Sequence, residues 1–92
     1  MTREMAEVLG LKALAWLVGH DDLRGVFLGA TGLAQSDLAD GAKDPAFLGQ
    51  VLEFLMMDDA WVVGFCDAEG LAYEDPMQAR ALLPGGDLPN WT

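Results

Sequence analysis

The chain has one cysteine, one histidine, one serine and only five basic residues among its 92. Each scarcity removes a class of chemistry. Cys66 alone excludes an internal disulfide and fits a reducing compartment. His20 alone cannot complete a zinc site with other histidines. Ser36, His20 and Cys66 are each the only residue of their kind, and none sits in a nucleophile-elbow setting, so nucleophilic catalysis is not expected. Gly85-Gly86 follows a helix instead of opening one, which leaves no phosphate-cradling loop. No catalytic, cofactor-binding or metal-ligating residue is assigned, and the chain does not read as an enzyme. The cations Arg3, Lys12, Arg24, Lys43 and Arg80 are scattered and form no stripe for phosphates. The longest apolar runs, 13–19 and 60–66, are too short to span a bilayer. Glu4, Glu7 and Lys12 spoil the N-terminus as a secretion signal. A soluble, cytoplasmic protein is expected.

What is present is acid and apolar surface. Fifteen acidic residues give a net charge of −10, and 52% of the residues are apolar. That charge favours basic partners over nucleic acid or anionic membrane. The apolar fraction is too high for disorder, and the length sets one domain of marginal core.

Caps and turns predict six short helices. Thr2 caps a first helix over 3–18, whose apolar run from Val8 to Val18 is broken only by Gly10 and Lys12. A stripe that wide places the helix near the middle of the fold. Asp21-Asp22 caps a second helix to about Thr31, in which Gly25 and Gly29, four apart, predict close approach of a neighbouring backbone. Gly32 terminates it and Leu33 folds back over the last turn. A third, short helix is expected from Ser36 to Asp40. Asp44-Pro45 is the clearest helix start, followed by the broad apolar face of Phe47, Leu48, Val51, Leu52, Phe54 and Leu55. Asp58-Asp59 repeats the Asp21-Asp22 device and opens a fifth helix, with Trp61, Val62, Phe65 and Cys66 inward. Gly70 closes it, and Asp75-Pro76 starts a sixth helix that stops before Pro84. The division is a helical domain over 1–83 and an extended Pro/Gly tail over 84–92.

The stretch from Phe27 to Asp37 recurs 38 residues later, from Phe65 to Asp75. At that shift, identities fall at Leu14, Leu17, Asp21, Phe27, Ala30, Gly32, Leu33, Ala34 and Asp37. Nine of twenty-four positions from 14 to 37 thus repeat, against about two expected from composition. The fold class is therefore an all-α compact bundle of five or six short helices. Two three-helix repeats, about 14–37 and 52–75, would pack around a pseudo-two-fold. Repeated caps in any helical chain are the competing explanation.

The strings 11–17 (Leu-Lys-Ala-Leu-Ala-Trp-Leu), Thr31-Gly32-Leu33, Asp44-Pro45-Ala46-Phe47-Leu48 and Val51-Leu52-Glu53-Phe54-Leu55, with Pro84-Gly85-Gly86, resemble a small family of bacterial proteins of about this length. That family is catalogued only as a domain of unknown function. The resemblance covers nearly the whole chain and implies an all-helical cytoplasmic protein. It supplies no activity, because the shared residues are caps, turns and core. Ala34 departs from it, since a capping residue such as serine is expected there.

The acidic clusters carry the remaining binding readings. His20-Asp21-Asp22 and Asp58-Asp59 read as helix caps before they read as a weak hard-cation site. Asp37-Leu38-Ala39-Asp40-Gly41 fails as a calcium loop, because its spacing puts Leu38 and Phe47 at ligand positions. The corner at Gly32 has the outline of a helix-turn-helix, the runner-up function as a DNA-binding regulator, but the following helix carries Asp37 and Asp40. The preferred reading is a protein-interaction or adaptor module. Its candidate surface is Met56, Met57, Asp58 and Asp59, a soft apolar patch with an acidic rim suited to a basic protein or peptide. Trp91 completes that candidate set. It either folds back over the short sixth helix, the favoured arrangement, or anchors in a second subunit of a homodimer.

Overall fold

The computed structural model describes residues 1–84. Trp91 and the remainder of 85–92 lie outside the described residues. Six helices and no strand are found there: α1 (Arg3–Val18), α2 (Asp21–Thr31), α3 (Asp37–Gly41), α4 (Pro45–Leu55), α5 (Asp59–Glu69) and α6 (Asp75–Leu82). The fold is an all-α bundle, as the sequence predicts.

Local chemistry sets most boundaries. The Thr2 hydroxyl accepts from the Met5 N–H at 3.1 Å, and the Asp44 carboxylate accepts from the Ala46 N–H at 3.0 Å, ahead of Pro45. Gly32 and Gly70 end α2 and α5 at φ 74° and 69°, the left-handed region that a Cβ disfavours. No neighbour lies within 4 Å of a Cβ built at either glycine, so the constraint is backbone conformation alone. Gly32→Ala and Gly70→Ala are therefore each expected to cost about 1 kcal/mol. Thermal denaturation should show a Tm drop of roughly 4–8 °C for either. Equal stability of variant and parent would mean that the turn does not hold its φ.

Two boundaries correct the sequence reading. Asp21-Asp22 does not cap α2. The cap position is His20, whose side chain makes no capping bond, and the two aspartates occupy the first turn, where they meet the helix dipole. At the same place in the second half stands Asp58, whose carboxylate accepts from the Ala60 N–H at 2.8 Å. The two acidic pairs are therefore one residue out of register. The third helix begins at Asp37 instead of Ser36, and Ser36 makes no capping bond. Asp37 reaches back to accept from the Ala34 N–H at 2.9 Å, as Asp75 does from Ala72 at 3.1 Å. That carboxylate serves the Ala34 N–H, the half of a capping box that does not depend on a serine at 34.

The core is built on α1, which packs most extensively against α4 and α6, then α2; α6 also packs on α4. Every residue of the expected α4 face is buried, as are Leu14, Leu17, Phe27, Phe65 and Cys66. The expectation for Gly25 and Gly29 is overturned, since a Cβ at either meets nothing within 4 Å. Close approach occurs at Gly10 instead, where a Cβ would fall 2.9 Å from the Leu48 Cβ. This is the crossing of α1 over α4. On α4 itself, Gly49 lies beneath the Arg80 guanidinium and Leu83. Arg80 donates from Nε to Glu53 Oε2 at 3.2 Å, which ties α6 to α4.

The 38-residue shift is visible in local structure. α2 and α5 begin and end at matching positions, and α3 and α6 begin at matching positions. Phe27 meets Phe54 edge-on at 5.1 Å, and Phe65 meets Trp16 edge-on at 6.0 Å. Trp16 and Phe54 are themselves 38 apart. Packing departs from this pattern at the third helix of each half, because α6 lies against both α1 and α4 whereas the five-residue α3 makes no comparable contact. The contacts do not establish a two-fold between the halves.

Candidate functional site

Met56, Met57 and Asp58 form the turn between α4 and α5 and Asp59 opens α5; the fifth sequence-selected residue, Trp91, lies outside the described residues. Met56 ends α4, and its N–H donates to the Leu52 carbonyl at 3.0 Å. The chain then tightens, with the Met57 N–H on the Phe54 carbonyl at 3.1 Å. That turn throws Met57 into solvent at 75% exposure, the highest of any large apolar residue described. Met56 is half-buried. Asp58 spends its carboxylate on the α5 cap, which leaves exposed Asp59 as the freer acid of the pair.

A second apolar surface was missed by sequence reasoning. Met5 and Val8 are three apart on one face of α1, Met1 stands just ahead of the helix, and all three are exposed. With Leu71 from the α5–α6 corner they line a groove of about 290 Å³. Leu9 is also in its lining, at 5% exposure. Glu4 and Asp75 bring carboxylates to the same groove, and Lys12 brings one ammonium. The Met5/Val8 spacing, with Met1 just ahead of the helix, was the available signal. It was hidden because the longer apolar run begins at Val8, so the first two turns read as a polar lead-in.

The chemistry-bearing side chains are mostly committed locally. His20 Nδ1 lies 2.6 Å from the Trp16 carbonyl, which requires that nitrogen to carry the proton, and its ring rests 4.3 Å from the Trp16 indole. Cys66 is fully buried and its thiol donates to the Ala72 carbonyl at 3.4 Å. Burial first, then the charges of Asp75, Asp67 and Glu74, pushes that thiol's pKa up, so it is a neutral group at physiological pH. The Tyr73 hydroxyl donates to Asp67 at 2.8 Å, and that bond raises the phenol's pKa. Arg3, Arg24 and Arg80 pair with Glu7, Asp21 and Glu53. Among the described residues, no group of three His, Cys, Asp or Glu side chains is placed to hold a metal ion. None of the helices there is long and apolar enough to cross a membrane.

No curated protein and no solved structure matches the chain. A family described as a protein of unknown function, DUF3572, matches over residues 3–86, and the chain belongs to that family.

Proposed function

We propose that the chain is a small protein-interaction or adaptor module without catalytic activity, whose partner is a basic protein or peptide. One observation carries the reading. Of the five methionines, Met1, Met5, Met57 and Met77 are exposed and Met56 is half-buried, so none belongs to the buried core. Leucine, phenylalanine and small residues fill that core. Methionine used as gap-filler would sit inside. On a surface, its unbranched, polarizable side chain adapts to varied apolar partners. The setting is a body of net charge −10 whose arginines are paired with neighbouring carboxylates, which repels nucleic acid and attracts cationic surface.

Affinity capture from the native cytosol tests this, using the full chain, a chain ending before Trp91, and Met57→Lys. A single basic protein retained in stoichiometric amount near about 50 mM salt, and released toward about 500 mM, is the expected result. Loss on truncation would assign Trp91 to binding, and loss in Met57→Lys would assign the α4–α5 turn. Retention of duplex DNA at low salt, with no protein, would overturn the reading in favour of a helix-turn-helix regulator.

A further inference from the structure

The α1 groove differs from the other apolar surfaces among the described residues. A second trough, between α1 and α3, is lined by Leu11, Leu14, Val18 and Leu38 with no charged residue in its lining. It offers nothing that selects one occupant. The first groove joins an apolar wall to carboxylates from two separate elements, Glu4 on α1 and Asp75 on α6, against the single ammonium of Lys12. The acidic body around it adds to the same sign.

Its size also discriminates. About 290 Å³ lies at the floor of the range for small-molecule sites, roughly 300–1,000 Å³. The groove's α1 lining, from Met5 through Val8 to Lys12, runs about 10 Å along the helix at 1.5 Å per residue. That matches two turns of a helix laid alongside, inserting its apolar residues at three- and four-residue spacing. Met1 and Met5, two of the groove's apolar lining residues, are methionine, which adjusts to such ridges at small cost.

We propose that the groove between α1 and the Leu71–Asp75 corner docks an amphipathic helix of a partner protein, with basic residues flanking its apolar face. The proposal rests on the interaction-module reading and supplies a site for it, separate from the Met57 turn. Leu9 and Leu71 receive the apolar ridge, while Glu4 and Asp75 meet the flanking cations.

The test is an NMR titration of the full chain with a synthetic leucine–lysine helix of about 18 residues, repeated on Met5→Glu/Val8→Glu and on Met57→Glu. Positions 5, 8 and 57 are exposed, so the variants are expected to keep the parent's helical circular dichroism. Docking predicts amide shifts clustered at Met5, Val8 and Leu71. It also predicts at least about tenfold weaker binding in Met5→Glu/Val8→Glu, or about 1.4 kcal/mol. Met57→Glu should bind at least as tightly as the parent. Adsorption by charge alone predicts the reverse for the double variant, since two added carboxylates would tighten it; unchanged or tighter binding there overturns the proposal. Shifts confined to Met57–Asp59 also overturn it, while leaving the adaptor reading intact. Groove shifts that grow with protein concentration before any peptide is added would make a second copy the occupant. No binding at low salt overturns the groove, and the capture experiment then decides the broader reading separately.

Discussion

Phe27→Ala and Phe65→Ala should each remove about 3–5 kcal/mol of stability, the cost of deleting a buried aromatic ring. Both side chains are fully buried, at 0% exposure, and each touches an aromatic residue from the other half of the chain. A domain of this size holds roughly 5–15 kcal/mol in total, so either change should leave a substantial unfolded fraction on warming. Urea denaturation followed by circular dichroism measures it. The midpoint should fall sharply with little change in slope.

The two positions are not expected to be identical. Phe27 lies edge-on to Phe47 at 6.0 Å and to Phe54 at 5.1 Å, whereas Phe65 has one such neighbour, Trp16. Edge-to-face pairs add about 0.5–1.5 kcal/mol beyond area burial. Phe27→Ala should therefore lie toward the upper end of the range and Phe65→Ala toward the lower. Leucine at either position keeps most of the apolar volume and should lose chiefly that aromatic increment. A cost below about 1.5 kcal/mol for Phe65→Ala would show that the ring is not held as the contacts indicate. Closely matched costs would support the halves as equivalent units, and a large imbalance would confine the repeat to its corners.

What could be read in advance was decided within a few residues. A proline at the first helical position, a carboxylate two residues before the N–H it caps, and a glycine at positive φ act over one turn. Asp44, Pro45, Gly32 and Gly70 fell where local chemistry placed them. The six apolar residues of α4 were legible because their spacing admits one buried face. Register was harder. Asp21-Asp22 and Asp58-Asp59 look alike, yet the 38-residue shift aligns His20 with Asp58, so only the second pair supplies a cap. The α1 groove was illegible for a different reason. Leu71 reaches Met5 and Val8 only after α6 has packed on α1, and no local pattern records that juxtaposition. Met57 stands exposed just past the end of a helix whose apolar face is already complete.

Gly10 carries the second large expectation. A four-residue glycine spacing on α2 pointed to helix contact at Gly25 and Gly29, but that spacing says only which way two residues face, and theirs is toward solvent. Gly10 has no glycine partner on its own helix. It is needed because Leu48, on α4, approaches α1 there, with its Cβ 2.9 Å from where an alanine methyl would stand. Carbon atoms pack at about 3.5–4.0 Å. Cβ is fixed to the backbone and cannot swing aside, so relief requires the two helices to separate along the main seam of the core. Gly10→Ala should accordingly destabilise by about 1–3 kcal/mol, despite a gain in helix propensity of up to about 1 kcal/mol. Gly25→Ala and Gly29→Ala gain propensity with no clash and should each stabilise by about 0.5–1 kcal/mol. Thermal denaturation of the three variants side by side separates contact from conformation, because the same substitution changes sign with position. Leu48→Ala does not open room at the Cβ itself and should not rescue Gly10→Ala, whereas Leu48→Gly in the Gly10→Ala background should recover the lost approach while creating a cavity. Stabilisation by Gly10→Ala alone would mean that α1 and α4 do not cross at this point.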